Sequence, residues 1–139
     1  MKTSVKIALA VVVVVAVGGI LAALYLYNLK PKDLSKVSPE FTISSSDLQK
    51  AFEENEATAS KTYINKVVEV TGEVIAIIGS EKNSWNVTLQ TGNDLAKVIC
   101  TFPSVSDPAV FNLGKEITVR GVCSGFLSDV LLNNCVVVN

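Results

Sequence analysis

The chain has 139 residues, 49% apolar and 18% charged, with 12 Lys+Arg against 13 Asp+Glu for a formal charge of −1. It contains no histidine, which excludes Ser-His-Asp and Cys-His catalysis, His-ligated zinc and an imidazole pH switch. The mean hydropathy of +0.43 is high for a soluble protein, and the excess is local: no charge falls between Ile7 and Leu29.

Residues 7–27 (IALAVVVVVAVGGILAALYLY) form an uncharged run of 21. As a helix at ~1.5 Å rise per residue it spans ~31 Å, the thickness of a bilayer core. Lys2 and Lys6 precede it; Tyr25 and Tyr27 close it, followed by Lys30 and Lys32. Aromatics and then lysines is the order expected at a membrane interface. A cleaved signal would have an apolar region of ~7–15 residues ending at small residues. Ala16-Val17-Gly18 offers such a site, but the apolar run continues well past it, so an anchor is the preferred reading. No cysteine near the N-terminus offers a lipidation site. The spacings Gly18-x-x-x-Ala22 and Gly19-x-x-x-Ala23 read as small residues facing lipid rather than as a helix-pairing face. Lysines on the two sides nearly balance; the short end is expected in the cytoplasm and the main domain outside it.

Residues 30–45 (KPKDLSKVSPEFTISS), rich in serine and lysine with two prolines, read as a linker. Ser46-Asp47-Leu48-Gln49 fits a capping box. Leu48, Ala51, Phe52 and Ala59 then recur at helical spacing, predicting one helix over 46–59. From Val67 the period becomes 2. A long strand is predicted over 67–79, with a bulge or bend at Gly72. Further strands follow at 84–90, 95–102, 115–123 and 129–138, separated by turns at 79–83, 91–94 and 124–128 and by a proline-broken insertion at 103–113. Five strands, the first long and bent, predict a small Greek-key barrel of the OB type. Strand count alone also admits an SH3-like barrel or an open sandwich. The organisation read from the chain is an anchor at 1–29, a linker at 30–45 and an OB-fold domain at 46–139.

Three stretches carry a family resemblance. One is Asp47-Leu48 … Asn55-Glu56 … Tyr63-Ile64-Asn65-Lys66-x-Val68-x-Val70-x-Gly72-x-Val74. The second is Val98-Ile99-Cys100-Thr101-Phe102. The third runs from Val119 through Gly121, Cys123, Gly125 and Asp129 to Asn134-Cys135. Together they resemble the tRNA-anti-like family of OB-fold proteins. That resemblance implies a small bacterial envelope protein with an N-terminal signal or anchor before one OB domain, and it brings no catalytic residues with it.

OB barrels often bind single-stranded nucleic acid, which takes cations for phosphates and aromatics for bases. Residues 40–139 hold seven Lys+Arg against twelve Asp+Glu, a net −5, which disfavours that reading. No nucleotide-binding, hydrolase or metalloprotease motif is present. Glu69 and Glu73 share a strand face but read as surface charge. The protein is therefore expected not to be an enzyme and to use no cofactor or metal. The Asn86-Val87-Thr88 sequon reads as a chance match. What remains is a membrane-tethered binding or scaffolding module with a protein, peptide or glycan partner in the envelope. OB barrels bind on strands two and three and the adjoining loops. The candidate ligand-binding residues on this basis are Trp85, Asn86, Gln90, Lys97, Arg120 and Phe126. Trp85 shares the parity of the core residues Val87 and Leu89, and Phe126 is placed in the 124–128 turn.

Cys100, Cys123 and Cys135 lack C-x-x-C spacing, so redox-motif and zinc chemistry are not signalled. If 124–128 is the turn, Cys123 sits beside residue 129 and ~20 Å from Cys135, too far for a bridge. The third and fifth strands of an OB barrel are neighbours, so Cys100–Cys135 is the one candidate pair. Three buried thiols used in packing is the preferred expectation.

Overall fold

The computed structural model describes residues 2–29, 33–80, 83–105 and 107–138. Lys30, Lys32 and part of the expected 79–83 turn lie outside them. The chain divides into two units, Met1–Pro31 and Lys32–Asn139. The first is one helix, α1 (Lys2–Tyr27), long and apolar enough to cross a membrane. Its run of β-branched valines is helical, as a segment must be wherever, as in lipid, each backbone group has to be bonded within it.

The second unit begins with a 3-10 turn at Leu34–Lys36, capped by Asp33, whose carboxylate accepts from the Ser35 amide and hydroxyl. Then come β1 (Phe41–Ser44), α2 (Ser45–Glu54), α3 (Glu56–Tyr63), β2 (Val67–Gly79), β3 (Trp85–Leu89), β4 (Val98–Phe102), β5 (Glu116–Leu127) and β6 (Asp129–Val137). A second 3-10 turn, Pro108–Val110, lies in the insertion between β4 and β5. The strand order is β1-β2-β3-β4-β6-β5, and β5 pairs back onto β2. β2 to β6 thus close a five-stranded barrel with the OB order, which settles the choice among the three β architectures. β2 serves twice: its first half pairs with β5 and its second half with β3.

Residues 41–44, read as linker, form β1, which runs parallel to β2 with Phe41 opposite Val68 and Ile43 opposite Val70. Phe41 and Ile43 pack against the core, which is what draws a serine-rich segment into the sheet. The predicted single helix is two. Ser44, not Ser46, caps α2 by accepting from the Asp47 amide. Asn55 then leaves the helical region (φ −157, ψ 92), ends α2 and caps α3 through the Thr58 amide. Asparagine competes with the helix for its own backbone, so it breaks helices and caps them well. The helix pair closes one end of the barrel. Leu48 and Phe52 are fully buried, and Phe52 stacks on Phe126 at 5.1 Å between centroids and tilts against Tyr63 at 6.1 Å.

Three register shifts correct the simple alternation. β2 carries an extra residue between Val74 and Ala76, so the bulge is at Ile75 and not at Gly72. Gly72 has another use: a Cβ there would collide with the Ser45 side chain, so its absence lets α2 seat on the sheet. Past the bulge the faces exchange, leaving Ile77 against the core and Ile78 62% exposed. β5 continues through residues 124–127, predicted as a turn, with an extra residue between Cys123 and Gly125; the chain reverses at Ser128 (φ 69) instead. β6 carries an extra residue between Asn133 and Val136. Cys123 is therefore opposite Leu132 rather than residue 129, and all three cysteines are free and buried.

Candidate functional site

On β3 and β4 the inward residues are Val87, Leu89, Val98, Cys100 and Phe102. The outward residues are Asn86, Thr88, Ile99 and Thr101, paired as Asn86↔Thr101 and Thr88↔Ile99. The Thr101 hydroxyl donates to Asn86 Oδ1 at 2.9 Å. The face widens onto β2, where Ala76 is opposite Thr88 and Ile78 opposite Asn86, and onto β6, where Leu131 is opposite Ile99. Among the described residues it is an uncharged surface of methyl, hydroxyl and amide groups, with no aromatic side chain and no cation.

The six sequence-predicted site residues do not converge on this face. Asn86 lies on it. Trp85 is half-buried against the core, with its indole over Gly79, where a Cβ would stand 2.8 Å from Cζ3. Gln90 is exposed at the end of β3 and uses its backbone: its amide donates to the Glu73 carbonyl and its carbonyl accepts from the Ser45 hydroxyl. Lys97 lies just before β4; its ammonium donates to the Asn93 carbonyl at 3.0 Å and its amide to Asp129 Oδ1 at 2.7 Å. Phe126 is in β5, where the preceding extra residue turns it inward onto Phe52. Thr88, Ile99, Thr101 and Leu131 complete the face and were not singled out. The signal for them was the alternation itself, because each sits between two buried residues of its strand.

Arg120 is committed elsewhere. It is opposite Glu69, and its Nη2 and Nε donate to Glu69 Oε2 at 2.7 and 3.2 Å. Its Nη1 donates to the carbonyls of Leu34, Ser35 and Val37 at 3.2, 3.1 and 2.7 Å. The two side chains are only 12% and 19% exposed. One guanidinium thus neutralises a half-buried carboxylate and holds the 34–37 segment on the barrel, with Leu34 2% exposed. Glu73, which shares the Glu69 face, is opposite Glu116 instead, so the two carboxylates do not act as a pair.

A second concavity, of about 300 Å³, lies between α2 and the β3–β4 loop, lined by Ser46, Asp47, Gln49, Lys50, Glu53, Gly92 and Asn93. Gln49 Nε2 donates to Glu53 and to the Ser128 carbonyl, tying α2 to the hairpin tip. With two carboxylates against one ammonium, the recess suits a hydrogen-bond donor better than a phosphate. Among the described residues no group of three or more His, Cys, Asp or Glu is placed to hold a metal ion.

A closed barrel of this order, plugged by a helix pair and presenting an open outer face on β3 and β4, is an OB-fold binding module. The chain belongs to the tRNA_anti-like family, whose profile matches residues 1–137. Among solved structures it is similar to a lipoprotein of Klebsiella pneumoniae subsp. pneumoniae, named there as a candidate nucleic acid-binding protein. That match has 23% identity and a TM-score of 0.59, and covers 79% of this chain and 100% of the other. At that identity the likeness is one of fold. No curated protein matches the chain.

Proposed function

We propose that this protein is a non-enzymatic, membrane-tethered binding module. Its N-terminal helix is the single membrane span, its barrel lies outside the cytoplasm, and its partner is a protein, peptide or glycan of the cell envelope. The observation that carries the reading is the chemistry of the outer β3–β4 face. Asn86, Thr88, Ile99 and Thr101 offer hydrogen bonds and methyl contacts but nothing to neutralise a phosphate or stack a base. The net −5 of residues 40–139 acts in the same direction. Arg120, the sole arginine, has all its described contacts inside the barrel unit.

The second reading is single-stranded nucleic-acid binding, favoured by the name given to the Klebsiella protein. Fluorescence anisotropy of the detergent-solubilised chain with labelled single-stranded RNA and DNA separates the two. The proposal expects no saturable binding at physiological salt and at most a weak, salt-sensitive signal below it. Micromolar or tighter binding at physiological salt would overturn it.

A further inference from the structure

The recess between α2 and the β3–β4 loop shares no residue with the outer β3–β4 face. It is fixed by hydrogen bonds from three elements. Glu53 Oε1 accepts from Asn93 Nδ2, and Asn93 Oδ1 accepts from the Leu95 amide at 2.8 Å. Gln49 Nε2 donates to the Ser128 carbonyl at 3.0 Å, and Asp129 Oδ1 accepts from the Lys97 amide at 2.7 Å. These bonds tie α2, the β3–β4 loop and the β5–β6 reversal to one another. Gln49 lines the recess yet is only 1% exposed. Its Nε2 is bonded, but its Oε1 is buried with no hydrogen-bond partner among the described residues. Buried polar atoms are as a rule paired, so this oxygen is an acceptor still open to a donor.

Asp47 and Glu53 line the recess, and Asp94 and Asp129 stand on the bordering loops. Both bonds that Glu53 makes, to Gln49 and to Asn93, fall on Oε1 and leave Oε2 for a ligand. The nearby ammoniums are engaged: Lys50 lies 3.8 Å from Glu54, and Lys97 donates to the Asn93 carbonyl at 3.0 Å. The positive N-terminal end of α2 is met by the Ser44 cap and by Asp47 in its first turn. Leu95, two positions after Asn93, is 90% exposed, and Leu127, next to Ser128, is 80% exposed. Among the described residues of the barrel unit they are the two most exposed large apolar side chains. An open acceptor and two carboxylates call for a cationic donor, and leucines on both bordering loops call for apolar groups on the same ligand. A basic side chain between apolar neighbours of one peptide supplies both. We propose that the recess is a second binding site, separate from the outer β3–β4 face, for a lysine or arginine side chain of a partner peptide whose flanking apolar residues pack on Leu95 and Leu127. The cationic head donates to Gln49 Oε1 and is neutralised by Asp47 and Glu53.

Heteronuclear NMR of the isotope-labelled full chain in nonionic detergent tests this, with an acetylated and amidated Ala-Leu-Lys-Leu-Ala peptide as the probe. Saturable shifts of the Gln49 side-chain amide and of the Gly92 and Leu95 backbone amides are expected, with Thr88 and Ile99 unmoved. A peptide with norleucine in place of lysine should bind about tenfold more weakly. Asp47→Asn and Glu53→Gln should each weaken the lysine peptide about two- to fivefold, and Leu95→Ser roughly tenfold. Glu116→Gln, which removes an exposed carboxylate of β5, should change nothing. Variant spectra that overlay on the unaltered chain away from α2 and the two loops separate these effects from a loss of fold. Equal binding of the norleucine peptide, binding of n-butylamine as tight as that of the lysine peptide, or unchanged affinity in both carboxylate variants would overturn the proposal. Shifts at Thr88 and Ile99 in place of the recess would also overturn it while leaving the role of the outer face standing. So would the absence of saturable shifts; broadening of Leu95 and Leu127 by a spin-labelled lipid in phosphatidylcholine bicelles would then assign the leucines to a membrane surface.

Discussion

Replacing Arg120 by alanine should loosen the start of the second unit and destabilise the barrel together. The substitution strands the Glu69 carboxylate, 19% exposed, opposite an empty site, and removes the donor shared by the Leu34, Ser35 and Val37 carbonyls. Removing one partner of a buried ion pair costs about 3–5 kcal/mol, and a single charge-assisted hydrogen bond contributes about 1.5–3 kcal/mol. This pair keeps some solvent contact and the freed carbonyls can turn to water, so a loss of about 2–4 kcal/mol is expected. For a domain of this size that is a fall in melting temperature of roughly 10–20 °C. Thermal unfolding of the full chain in detergent, followed by Trp85 fluorescence, reads it. Arg120→Lys should recover less than half, because one ammonium cannot fork between Glu69 and the turn. Hydrogen exchange at the Val37 amide, bonded to the Leu34 carbonyl, should speed up in Arg120→Ala. The exposed pairs Lys50–Glu54 and Lys66–Glu40 are the controls, each contributing about 0–1 kcal/mol and fading with salt. A loss below about 0.5 kcal/mol in Arg120→Ala, with Val37 exchange unchanged, would refute the argument.

Phe126→Ala should cost about 2–4 kcal/mol by denaturant unfolding, since it empties the stack on Phe52 beneath the helix pair. A loss typical of surface sites would mean that Phe126 faces solvent. Gly121→Ala should cost about 1–3 kcal/mol, because its Cβ meets a backbone carbonyl as well as Cys135; an unchanged midpoint would count against the packing described. Burial pushes the Cys123 thiol up to about 11, with a Gly125 backbone hydrogen bond pulling the other way. A raised thiol keeps its proton in the folded state, so its contribution is full below about pH 9 and is lost as pH rises towards 11. Between these limits Cys123→Ala should lose stability with a shallower slope than the unaltered chain. Equal slopes would remove Cys123 as a contributor.

Much of the fold was legible because β strands of this barrel are bounded by turn residues and alternate cleanly at their starts. The extents of β2, β3 and β6 and the closing order follow from that. What alternation could not carry is phase beyond a bulge. Each extra residue, at Ile75, Ser124 or Asn134, exchanges the two faces, and nothing in the side chains there announces it. That is why Ile78 moves outward and Phe126 and Cys135 move inward. β1 escaped notice because Phe41-Thr42-Ile43-Ser44 is too short to show a period and follows a proline-containing, serine-rich stretch. The helix break escaped because Asn55 stands between two segments of the same helical pattern.

The position of the outer β3–β4 face was legible in the sequence, but the residues that form it were not the ones chosen. The β3–β4 face follows from the barrel order, and its residues alternate with the core. The side chains chosen from the sequence were the large or charged ones, and physical chemistry assigns most of those to the structure. Trp85 covers Gly79, Phe126 fills the barrel end, and Arg120 is taken by Glu69 and three carbonyls. What is left on the outer β3–β4 face is small and uncharged, and such residues give no compositional signal.

In the function proposed above, the outer β3–β4 face meets an envelope protein, peptide or glycan. Site-specific photocrosslinking in intact cells tests it most directly, with a photoreactive residue placed at Thr88, at Ile99 or, as a control, at the exposed Lys61 of α3. Adducts with a protein or glycan from positions 88 and 99 and none from 61 are expected. Nuclease-sensitive adducts from 88 and 99, or adducts from 61 alone, would contradict it.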